Sequence, residues 1–206
     1  MPLGINKAAL FGVAGAVTDS AILIQSQTTA SAASIEFTTG ITSAYKQYVF
    51  SFYGVAPIVN TEILQMAAST NGGSSYGVTT TSTFFKSYQT IIWDTTGALV
   101  YETSRDLAQS TNPQTFTENM ANATQPSGGN NTPGAHLAGE FILYNPASTT
   151  YVKHFHSKFS YNFYLAAEQN PFVAGYYNTT SAINALKFNM LGGGNIEGTI
   201  KMWGIK

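Results

Sequence analysis

Cysteine is absent from this chain of 206 residues, and arginine occurs once, as Arg105. The first absence removes disulfides, thiolate metal sites and thiol nucleophiles together. It suits assembly in a reducing cytoplasm and a life outside cells equally. Charge of either sign is scarce: Asp, Glu, Lys and Arg make up 9% of the sequence, against roughly 25% in ordinary globular proteins. With a net charge of −1 there is no electropositive field to gather a phosphate backbone, so nucleic-acid binding is not expected. Long apolar runs are missing as well. The most apolar segment, AALFGVAGAV at residues 8–17, follows Lys7 like the core of a secretory signal, but it is far too short to span a bilayer. No membrane insertion is expected.

What fills the chain is uncharged polarity. Thr (26), Ser (18) and Asn (15) together exceed a quarter of the residues. These side chains suit turns, edge strands and wet contact surfaces more than helix interiors, so helix should be scarce. The length allows one sizeable core, and all-β sandwiches of this size are commonly a single domain. Residues 1–33, which include the apolar segment, are read as an N-terminal docking arm on a neighbouring subunit; the alternative is a plain first strand or helix of the same core. Residues 34–206 are read as the β-sandwich.

Period-two alternation marks the strands. Tyr48, Phe50 and Phe52 alternate with polar or smaller neighbours across residues 45–55. Glu62, Leu64 and Met66 precede Asn71-Gly72-Gly73, and residues 78–88 follow, which predicts a hairpin; a short helix over 60–68 is the alternative. Ile91-Ile92-Trp93, the turn Asp94-Thr95-Thr96-Gly97 and residues 98–102 predict another hairpin, and residues 104–110 a helical turn. Residues 111–134, rich in Asn, Thr, Pro, Gln, Gly and Ser with almost nothing to bury, predict a long loop that contacts a partner. Strands return over residues 137–144, 150–164 and 172–177. Finally Leu186, Phe188 and Met190 share one strand face, Ile196, Ile200 and Met202 another, with Gly192-Gly193-Gly194-Asn195 as the turn. Eight or more short strands between turn signals predict an all-β fold, a jelly-roll-like antiparallel β-sandwich.

No residue earns a catalytic, cofactor-binding or metal role from spacing alone. His154 and His156 share a strand face and could offer two imidazoles to one ion, with His136 or Glu140 completing the set, yet a polar sheet face or subunit contact explains them more simply. No Gly-x-Ser-x-Gly elbow occurs. The ten carboxylates are scattered, and none of their spacings singles out the facing pair that glycoside hydrolysis requires. The glycine run lacks the Lys-Ser or Lys-Thr of a phosphate loop. Sequons begin at Asn122, Asn130 and Asn178, as expected by chance in so Asn- and Thr-rich a chain. Tyr144, Tyr151, Tyr161, Tyr164, Tyr176 and Tyr177 crowd the second half, either as ordinary core or as an interface or sugar-binding surface.

Five segments carry a resemblance: SIEFTTGI (34–41), YKQYVFSFYGVAP (45–57), NPASTTYVKHF (145–155), VAGYYNTTSAINALKFNM (173–190) and IEGTIKMWGI (196–205). In this succession the chain resembles structural proteins of tailed bacteriophages, particularly marine ones. The Tyr-Val-Lys-His-Phe strand, the Asn-Thr-Thr-Ser-Ala-Ile turn and the closing Gly-Thr-Ile-Lys-x-x-Gly-Ile all stand here, with Trp203 where tyrosine is more usual. The first 33 residues fall outside the pattern. The resemblance implies a non-enzymatic virion component on the particle exterior, without cofactor, that assembles on other virion proteins and forms a homo-oligomer. A capsid decoration or cement protein seated on major capsid subunits is the preferred reading, because no heptads or repeats supply the shaft of an adhesin. The alternative is a tail fibre or receptor-binding adhesin, trimeric, contacting host surface glycans.

Overall fold

A computed structural model describes residues 21–90, 97–122, 134–165 and 167–206. The protein is an all-β sandwich of two antiparallel sheets. The strands are β1 (Ile22–Ala32), β2 (Ser34–Phe37), β3 (Gln47–Pro57), β4 (Leu64–Ser69), β5 (Thr80–Thr90), β6 (Gly97–Tyr101), β7 (Leu107–Ser110), β8 (Gln114–Thr115), β9 (Leu137–Tyr144), β10 (Lys153–Phe163), β11 (Ala167–Tyr177), β12 (Ala185–Met190) and β13 (Ile196–Ile205). The nine-stranded sheet runs β1-β13-β3-β9-β10-β11-β5-β6, with β7 also on β5; the four-stranded sheet runs β2-β12-β4-β8. That division differs from the eight strands of a jelly roll. Helical structure among the described residues is one 3₁₀ turn, Thr103–Arg105, and no helix is long and apolar enough to cross a membrane.

Each sheet buries the face its alternation predicts. Tyr48, Phe50 and Phe52 of β3 point inward, as do Phe155, Phe159 and Tyr161 of β10 and Leu186, Phe188 and Met190 of β12. Phe188 links the layers: its ring lies 5.2 Å from Phe52 and 5.8 Å from Phe50, and Phe52 in turn meets Phe159 at 4.9 Å. Such edge and tilted ring contacts add about 0.5–1.5 kcal/mol each beyond the area they bury.

Several expectations are corrected. The two terminal strands exist, but β12 lies in the small sheet and β13 in the large one, so the glycine loop is a corner between layers and not a hairpin turn. The segment before Asn71-Gly72-Gly73 is strand and not helix, yet β4 and β5 also lie in different sheets. Corners and hairpins use the same turn residues, and the buried face of a sandwich strand reads alike in either sheet. β5 and β6 pair antiparallel, while Ile91-Ile92-Trp93 and Asp94-Thr95-Thr96 of the expected hairpin lie outside the described residues. The helical turn at residues 104–110 gives way to the 3₁₀ turn and then β7.

The proposed loop at 111–134 is part of the core at its start. Phe116 is fully buried, Met120 and Ala121 nearly so, and β8 pairs with β4; residues 123–133 lie outside the described residues. The boundary at residue 34 also moves. β1 pairs with β13 along its length, so the sandwich already includes residues 22–32, while residues 1–20 of the expected arm lie outside the described residues.

Candidate interaction surface

Alternation that sends aromatics inward also fixes what faces out. Along β9, β10 and β5 the outward positions are Ala138, Glu140, Ile142 and Tyr144; His154, His156, Lys158 and Ser160; and Thr83, Phe85 and Ser87. Registry aligns them into rows. Leu23 opposes Trp203, Trp203 opposes Val49, Val49 opposes Ile142 and Ile142 opposes His156. The His156 ring stacks on Phe172 at 6.0 Å; Phe172 opposes Phe85, and Phe85 opposes Tyr101. An unbroken apolar and aromatic tract therefore takes one residue from each strand of the path from β1 to β6. Its middle is already sheltered, Ile142 being only 8% exposed, whereas Phe85 (38%), Tyr101 (56%) and neighbouring Leu99 (75%) leave the β6 end open.

Beside this tract lies a groove of about 440 Å³. Gly139 forms its floor with φ +143°, where an added Cβ would collide with the Lys158 carbonyl and the Phe159 backbone. Tyr53, half exposed, stands on one side with Lys201 Nζ 5.2 Å from its ring centroid. Glu140 and Lys158 face each other across β9 and β10, and Ser160 and Asn170 close the far side.

The residues singled out by sequence are largely kept apart. His154 packs on Tyr176 and His156 between Tyr144 and Phe172; His136 Nδ1 lies 2.6 Å from the Gly134 carbonyl, and Glu140 is registered with Lys158. Among the described residues no three His, Asp or Glu side chains are grouped to hold a metal ion. The glycine corner is a nest of backbone N–H groups, and the Glu62 carboxylate fills it: Gly192 N–H donates to Oε2 at 2.8 Å and Gly194 N–H to Oε1 at 3.2 Å. The tyrosines divide, Tyr161 and Tyr177 in the core, Tyr144 and Tyr151 at the surface. Asn122 is buried and donates to the Ile58 carbonyl, and Asn178 donates to Gln109, so both amides serve the fold.

Sequence reasoning missed a polar cluster at the inner end of β5. Lys86, nearly buried, pairs with Glu118 and reaches Glu102 at 3.7 Å. Gln169 donates to Glu118 at 3.1 Å, while Tyr161 accepts the Glu118 N–H at 2.8 Å and donates to Gln169. Burial pushes the Glu118 carboxyl up, but Lys86, Gln169 and Arg105 more than offset it, and its pKa falls below the ordinary value. An ionised carboxylate clamped this way is a poor general acid at neutral pH; it anchors the segment from Phe116 to the sheet. The amphipathic alternation of β5 places a lysine inward, and that is the signal that could have found it.

No family model, curated protein or solved structure matches this chain.

Proposed function

We propose that this chain is a non-enzymatic structural protein of a bacteriophage virion, carried on the particle exterior as a capsid decoration or cement protein. The supporting observation is the exposed end of the outer tract. Leu99, Tyr101 and Phe85 are exposed at the edge of the large sheet, with the half-buried Phe172 opposite Phe85. Exposed apolar side chains grouped within a polar surround mark protein docking sites. Among the described residues β6 pairs only with β5, which leaves a further sheet edge for pairing. Neighbouring virion proteins, the major capsid subunit first among them, are the partners this surface suits, and further copies of the chain fit the same description.

The groove at Tyr53 favours the second reading, a tail fibre or receptor-binding adhesin that contacts host glycans. Copy number in purified particles separates the two. A yield near that of the major capsid protein supports decoration, a small fraction of it assigns the chain to the tail, and absence from particles overturns both.

A further inference from the structure

We infer that the groove beside Gly139 is a binding site for a neutral saccharide. This goes beyond the structural role, and it stands whether the chain sits on a capsid or on a tail.

Recognition of a sugar ring needs a flat apolar surface for its C–H face and polar groups for its hydroxyls, which both donate and accept. The groove holds both. Tyr53, half exposed, supplies the ring, with Lys201 Nζ 5.2 Å from its centroid. Around it stand an acceptor-only carboxylate, Glu140, a donor-only ammonium, Lys158, and an amide that does both, Asn170. These three side chains are exposed and make no hydrogen bond or ion pair among the described residues, although Glu140 and Lys158 are direct cross-strand neighbours. Several other carboxylates among the described residues are taken internally: Glu36 by Tyr76 and Ser34, Glu62 by the glycine corner, Glu118 by Lys86 and Asp106 by the Phe84 N–H.

Charge and volume choose among occupants. Around the groove Glu140 and Glu168, the latter bonded to Ser160, stand against Lys158 and Lys201, so the charges balance and neither an anion nor a cation is favoured. About 440 Å³ holds one or two pyranose rings. Only glycine fits at this point of the groove, because an added Cβ would meet the Lys158 carbonyl and the Phe159 backbone.

The test is an amide NMR titration of the full chain with glucose, galactose, mannose, N-acetylglucosamine and their disaccharides, and in parallel with glucuronate and galacturonate. Saturable shifts confined to residues around Tyr53, Gly139 and Asn170 are expected with at least one of the neutral sugars. Tyr53→Ala and Asn170→Ala should each weaken that binding more than about tenfold, with an unchanged melting temperature. No saturable shift with any of these sugars overturns the inference, as does binding that survives both substitutions. Binding of acidic sugars alone, strengthened by Glu140→Gln, overturns the neutral assignment. None of these outcomes bears on particle copy number, so the groove and the virion reading fail separately.

Discussion

Gly192 donates its backbone N–H to Glu62 Oε2 at 2.8 Å, which ties the corner between the last two strands to the start of β4. Glu62 is 9% exposed, and the Gly194 N–H holds its other carboxylate oxygen. A charge-assisted bond of this kind contributes about 1.5–3 kcal/mol, and more is lost if the partners stay buried and unpaired. Glu62→Gln should therefore lower the urea midpoint by about that energy with an unchanged slope. Gly192→Ala should cost a similar amount, because a Cβ there would lie 2.7 Å from both carboxylate oxygens. Wild-type midpoints for both variants would mean that the corner holds itself.

Glu118 makes stability depend on acid. Its folded pKa lies below the ordinary 4.5, so near that pH the unfolded chain binds more protons than the native one. The contribution is complete above the unfolded value and disappears as pH falls through the depressed folded value. Melting temperatures measured from neutral to acidic pH should fall in that window, and Glu118→Gln should start lower at neutral pH and decline less. Parallel curves for the two proteins would remove Glu118 as the titrating group.

Strand positions were legible wherever alternation ran unbroken, as in Tyr48, Phe50 and Phe52 or in Leu186, Phe188 and Met190. Sheet membership was not, because the partner of each strand lies far along the chain and the turn residues at Gly192 serve corners and hairpins equally. Phe116 and Met120 escaped notice for a different reason: isolated apolar residues in a polar stretch have no period. Lys153 sits on the aromatic face of β10 fully buried, its ammonium donating to the carbonyls of Tyr151 and Thr179, and the second of these comes from a distant segment. The groove was illegible on the same ground, since only registry brings Tyr53, Glu140 and Asn170 together.

Phe116 tests whether its segment belongs to the core. The ring is fully buried and lies 5.3 Å from Phe159 and 5.6 Å from Phe141. Phe116→Ala should cost about 3–5 kcal/mol, the usual range for removing a buried phenyl ring. Next to it, Thr117 Oγ1 accepts the Leu64 N–H at 2.9 Å, fully buried. Thr117→Val leaves that N–H unpaired and should cost about 1–3 kcal/mol. Both are read from equilibrium unfolding; near-zero effects would return the segment to the surface.

Leu99 is the most exposed large apolar residue among the described residues, at 75%, and pairs opposite Ser87 at the β6 end of the sheet. Leu99→Lys should leave stability within about 0.5 kcal/mol of wild type, as surface changes away from caps and cores do. If the β6 end is the docking surface, the added ammonium must be desolvated against the partner without a counter-charge, and that cost falls entirely on assembly. Particles grown with the variant should then carry markedly fewer copies, while the isolated protein melts unchanged. Undiminished occupancy would move the docking surface elsewhere on the sandwich and leave Leu99, Tyr101 and Phe85 as an open face with no partner.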